Sequence, residues 1–141
     1  MFFPVCPYGV PDNYTAVVEM VAQEYEVPFL LLHSVIWKES RCYMDAIGSQ
    51  GEIGLMQLHP KVWSHPHNWS LMSEGTGWES FQEAELWDEN IRGGAWLLSF
   101  WYGASGGSWS LALEWYNGAG PQAREYALEV LKIWESAHAD L

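Results

Sequence analysis

Apolar residues recur at helical spacing along most of this chain, and no segment sustains the period of two that marks a strand. Asn13 stands where a helix cap belongs and predicts a helix over 14–25, with Ala16, Val17, Met20, Val21 and Glu24 tracing one face. Pro28 suits the first position of a second helix ending near Glu39 or Ser40. Gly48, Gly51 and Gly54 punctuate the loop that follows, and Leu55 to Leu58 read as a short helical turn stopped by Pro60. Residues 64–86 contain Pro66, Asn68, Gly75 and Gly77 and read mostly as loop with short helical turns. Asp88 is placed to cap a helix over 89–102 whose buried face carries Ile91, Ala95, Leu98 and Tyr102. Gly93 and Gly94 weaken that helix unless another backbone or side chain packs closely against them. A helix over 109–116 ends at Gly118-Ala119-Gly120, and Pro121 opens a last one bearing Tyr126, Val130, Ile133 and Trp134. The expectation is an all-α, compact single domain over 1–141, with 1–12 as an N-terminal extension and an irregular loop region in the middle.

Composition narrows the partners. A hydrophobic content of 49% excludes a disordered chain, and no apolar run approaches the roughly 20 residues needed for membrane insertion. Six Lys and Arg against 18 Asp and Glu give a net charge of −12, which argues against nucleic acid or an anionic membrane surface as partner. The N-terminus Met-Phe-Phe-Pro-Val-Cys-Pro lacks the basic and apolar regions of a secretory signal. Delivery beyond the cytoplasm therefore needs a non-Sec route, or the chain is a piece of something longer. Without an export signal, Cys6 and Cys42 are expected as free thiols rather than as the one bridge they could form. His59, His65 and His67 read as loop histidines, with no Cys or carboxylate at ligand spacing, so neither metal nor cofactor is expected. Of the ten Trp, those at 63, 69 and 78 are expected in the core rather than stacked on sugars.

Glu39 changes the picture. Leu32, Val35, Ile36 and Glu39 fall at i, i+3, i+4 and i+7, which puts a carboxylate on an apolar stripe. Poor solvation there, and the negative end of the helix dipole, both favour the protonated acid. A neutral carboxylic acid near pH 7 is what proton donation to a leaving group requires. Spacing alone supports equally a side chain that bends outward to water at a frayed helix end.

Three blocks stand out: Glu39-Ser40, Gly51-Glu52-Ile53-Gly54-Leu55-Met56-Gln57-Leu58-His59-Pro60, and Ala112-Leu113-Glu114-Trp115-Tyr116-Asn117-Gly118-Ala119-Gly120. In this order and spacing, with Gln57 eighteen residues after Glu39, they resemble the lytic transglycosylase family with the soluble-transglycosylase catalytic domain, a branch of the lysozyme-like fold. Leu86 to Leu97, with Asn90-Ile91 and a following Gly, is similar to the family's intervening stretch. The resemblance implies that Glu39 is the single catalytic acid/base and that Ser40 fixes the helix end. It implies that Met56, Gln57 and Asn117 lie at a glycan-binding groove and that Tyr116 sits by the catalytic carboxylate, its hydroxyl placed to hold the Glu39 rotamer. Where the family often carries a Ser contacting the sugar's N-acetyl group, this chain has Gly48, so either Ser49 serves or the contact is missing. Glu52 replaces a usually small residue and receives no role.

The implied activity is cleavage of the β-1,4 bond between N-acetylmuramic acid and N-acetylglucosamine, leaving 1,6-anhydromuramyl ends. The implied partner is the glycan strand of peptidoglycan at the bacterial cell wall. The missing export signal, the net charge of −12 and the high aromatic content point to a domain tethered in a phage virion or cell-envelope assembly. A hydrolytic muramidase is the nearest alternative and needs a second carboxylate, for which Asp45, Glu52 and Asp88 are the candidates. A catalytically idle structural or glycan-binding domain is the other.

Overall fold

The most apolar helix of the chain is buried in the core. In the computed structural model, which describes residue 6 and residues 9–139, helix α2 spans Phe29–Ser40, and its Leu31, Leu32, Val35 and Ile36 are fully buried. A helix apolar on nearly every side belongs inside a domain, not on its surface. Pro28 precedes α2, and its carbonyl accepts the first helical hydrogen bond from the Leu32 N–H.

Helix α1, Tyr14–Tyr25, begins and ends where the pattern predicts, but a different face is buried. Tyr14, Val18, Val21 and Ala22 turn inward, while Met20 is 66% exposed. The Tyr14 hydroxyl pairs with His33 Nδ1 of α2 at 2.9 Å, and this buried polar contact fixes the rotation of α1. Asn13 makes no side-chain capping bond.

Two prolines open helices in the middle region. Pro60 begins α3, Pro60–Trp63, rather than stopping a turn, and Pro66 begins α4, Pro66–Thr76. Proline fits the first helical turn because the N–H it lacks has no partner there. Residues 64–86 are therefore more helical than expected; Gly77, with φ 77°, ends α4, and a 3₁₀ turn covers Phe81–Glu85. Trp63 and Trp78 are buried as expected, and Trp69 is half-buried. Helix α5, Trp87–Ala104, starts just before Asp88, with Leu86 in the capping position. Helices α6, Trp109–Asn117, and α7, Pro121–Ala139, complete the chain.

Pairs α5–α6, α6–α7 and α2–α7 pack closely, and α1 bridges α2 and α5. The described residues contain no sheet; Ile53 forms isolated bridges with Ile47 and Leu58, which fold the loop after α2 back on itself. No helix of the described residues is long and apolar enough to cross a membrane. Most of the expected 1–12 extension (residues 1–5, 7 and 8) lies outside the described residues.

Cys6 and Cys42 form a disulfide, contrary to the expectation of free thiols. The fold brings their Cα atoms to 5.4 Å across 36 residues of chain, which is bridging distance, and local geometry outweighs the compartment argument. Cys42 follows α2 by two residues, so the bridge anchors the helix end that carries Glu39. Reduction is expected to lower unfolding stability by about 2–4 kcal/mol. Urea denaturation with and without reductant checks this.

Candidate active site

Glu39 is the penultimate residue of α2, and its carboxyl meets the Tyr126 hydroxyl of α7, which donates to Oε2 at 2.8 Å. Burial pushes the Glu39 carboxyl from its ordinary 4.5 up to about 7. The Tyr126 hydrogen bond and the Lys38 charge oppose that rise, while the Glu52 charge adds to it. With one oxygen accepting from Tyr126, the other is left to carry the acid proton. Burial raises both Tyr116 and Tyr126 well above the usual tyrosine range, with the nearby Glu39 charge adding, so both phenols stay neutral.

An open cavity of about 450 Å³ gives access to this group. It is lined by Lys38, Glu39, Asn117, Gln122, Glu125, Tyr126 and Glu129. Lys38 is ion-paired to Glu129 at its edge. Asn117, the last residue of α6, is exposed on this cavity.

Tyr116 is the point of difference. Its hydroxyl donates to the Met56 carbonyl at 2.6 Å, and the residue holding Glu39 is Tyr126 instead. The two phenols divide the work: Tyr126 on α7 reaches the carboxyl, and Tyr116 on α6 ties that helix to the glycine-rich loop. The sequence signal for Tyr126 is a tyrosine on the face that also carries the fully buried Val130, one helical turn on.

The loop itself is built on Asn90, a fully buried amide of α5. Its Oδ1 accepts the Met56 N–H at 2.8 Å, and its Nδ2 donates to the carbonyls of Ile53 at 3.0 Å and Ala84 at 2.9 Å. A Cβ on Gly94 would lie 2.4 Å from Met56 Cε and one on Gly93 2.5 Å from the Trp78 ring, so both glycines serve close approach. Met56 is thereby fully buried, with only its backbone turned to Tyr116. Gln57, at φ 51°, is half-buried, and its Nε2 donates to the Ala46 and Gly54 carbonyls at 3.1 and 2.9 Å. Ser40 faces inward too; its hydroxyl donates to the Ile36 carbonyl and accepts from the Cys42 N–H, so it secures the helix end. Ser49 is exposed on the loop.

Of the three carboxylates considered as partners for Glu39, only Glu52 acts on it. Asp45 lines a separate pocket with Met44, Ile53 and Glu85, and Asp88 Oδ1 accepts the Glu89 N–H at the start of α5. Among the described residues, no three His, Cys, Asp or Glu side chains stand together as metal ligands.

The Transglycosylase SLT domain family matches residues 16–130, most of the chain and all of this site. The chain belongs to that family. Among solved structures, the fold is similar to the lytic transglycosylase Slt of Pseudomonas aeruginosa, determined as an inactive mutant, with a TM-score of 0.72 and 23% identity over 88% of this chain. The match spans only 24% of that longer protein. No curated protein matches the chain in sequence. Within the SLT fold, the apolar stripe of α2 delivers Glu39 to the cavity, and α6 and α7 each supply one tyrosine.

A raised carboxyl carries a stability signature. Between its unfolded value near 4.5 and about 7, folded Glu39 keeps a proton that the unfolded chain releases, so stability falls as pH rises through that window. Glu39→Gln removes the ionisation. Thermal denaturation is expected to show the variant equal to wild type at pH 4 and more stable at pH 8, by at most about 3 kcal/mol.

Proposed function

We propose that this domain is a peptidoglycan lytic transglycosylase, cleaving the β-1,4 bond between N-acetylmuramic acid and N-acetylglucosamine. The observation that carries the reading is a carboxyl kept protonated near neutral pH by burial and held by Tyr126 at the edge of an open cavity. Membership of the SLT family supports the substrate class.

In this mechanism Glu39 gives its proton to the leaving O4 oxygen as the glycosidic bond breaks. Positive charge develops at the muramyl anomeric carbon, and the sugar's own 6-hydroxyl attacks there. Its proton passes to the Glu39 carboxylate, so the acid is restored and no water is consumed. An attacking group within the same molecule brings a large effective molarity, which reduces the need for a second catalytic carboxylate. Burial stabilises the acid for the first step, and the Tyr126 hydrogen bond stabilises the carboxylate that exists between the two.

Hydrolysis by a muramidase is the second reading, and the placement of Glu52 near Glu39 is what favours it. The net charge of −12, on a domain that must approach an anionic polymer, supports action within a larger assembly that supplies local concentration.

Digestion of purified murein followed by mass spectrometry tests these points together. Transglycosylation leaves anhydro ends lighter by one water than the reducing ends left by hydrolysis. Glu39→Gln is expected to lower the rate by at least about 100-fold. Reducing ends would favour the muramidase, equal rates for both proteins would remove Glu39 from the reaction, and efficient digestion by the free chain at low concentration would argue against tethering.

A further inference from the structure

Two polar side-chain contacts among the described residues join α2 to α7, and they lie side by side. One is the Tyr126–Glu39 hydrogen bond; the other is the ion pair of Lys38 with Glu129. Lys38 is the residue before Glu39, and Glu129 stands three positions after Tyr126 on the same face of α7. Gln122, Glu125, Tyr126 and Glu129 fall at i, i+3, i+4 and i+7 and form the α7 wall of the cavity that holds Glu39. Gln122 and Glu125 make no hydrogen bond or ion pair with another described residue. Of this wall, Tyr126 and Glu129 are therefore the two side chains that reach across to α2.

The second contact matters because of how α7 is packed. Its buried residues are mainly small, Ala123, Ala127, Val130 and Ala137, with Tyr126 the large exception. Small side chains make shallow ridges, which restrain a helix from sliding and turning less than large interlocking ones do. One hydrogen bond leaves α7 able to pivot about it. A contact about one helical turn further on removes that freedom, because two points fix both rotation and position along the axis. With the Lys38 side chain only 26% exposed, the pair is more confined than one on the open surface. Lys38 also holds the Glu129 carboxyl below its ordinary value, so Glu129 is an anion wherever Glu39 works.

We propose that Glu129 is a positioning residue: by holding Lys38 it fixes α7 against α2 and so keeps the Tyr126 hydroxyl on the Glu39 carboxyl. The inference rests on the assignment of Glu39 as the acid. Glu129 acts through Lys38 and Tyr126 and does not itself touch the reacting atoms.

A charge swap separates this role from a direct contact with substrate. Glu129→Gln is expected to lower kcat on murein about tenfold, since a small misplacement of an acid is costly. KM is expected to stay within about twofold of wild type. Lys38→Glu combined with Glu129→Lys rebuilds the pair in the opposite sense and is expected to recover most of that loss, each protein being assayed at its own pH optimum. A second readout needs no turnover: the loss of melting temperature caused by Tyr126→Phe is measured in wild type and in the Glu129→Gln background, as a double-mutant cycle. That loss is expected to be smaller in the variant, where the hydroxyl is no longer held in place. An unchanged kcat in Glu129→Gln would overturn the proposal, as would a change in KM alone, which would make the pair a substrate contact. A swapped protein as slow as Glu129→Gln, or additive losses in the cycle, would also overturn it. A wild type inactive on murein would contradict the proposed function, while the cycle would still decide whether Glu129 supports the Tyr126–Glu39 bond.

Discussion

The hydrogen bond from Tyr126 to Glu39, made where the carboxyl is largely withdrawn from water, is the interaction on which the rest of this structure turns. Burial alone would leave a neutral, unanchored acid free to rotate. The tyrosine fixes one oxygen and remains neutral itself, because burial and the neighbouring charge both oppose its ionisation. The two largest influences on this group oppose one another, with desolvation the larger and hydrogen bonding the smaller. The balance leaves a carboxyl near 7, where it can release and regain a proton at comparable cost.

Holding that pair together requires three separate anchors. The buried Leu31, Leu32, Val35 and Ile36 of α2 fix where the helix lies, and the Cys6–Cys42 bridge with the Ser40 hydroxyl fixes where it ends. Asn90 and the paired glycines Gly93 and Gly94 fix the loop on the opposite side, so that Tyr116 can reach the Met56 carbonyl. The last two anchors are polar or covalent contacts set within apolar packing. Such contacts specify one arrangement where hydrophobic burial by itself would tolerate several.

The sequence revealed the helical class, most helix boundaries and the position of Glu39, because these depend on period, caps and glycine placement within short windows. What it concealed depends on contacts between distant residues. The buried face of α1 is settled by Tyr14 meeting His33, not by the stripe through Ala16 and Met20. The helix α4 was hidden because Pro66, Gly75 and Gly77 resemble breakers, although Pro66 starts it and Gly77 ends it. The disulfide depends on two chain segments meeting. Tyr116 and Tyr126 could not be told apart as partners of Glu39, since both lie on helices that face the same cleft and only the packing of α6 against α7 assigns one to each side.

The most direct test of the central claim is a titration of the Glu39 side chain followed by carbon NMR of its carboxyl. A midpoint near 7 is expected in the wild-type protein. A midpoint at the ordinary carboxylate value near 4.5 would show an ionised, solvated group at neutral pH and would contradict it.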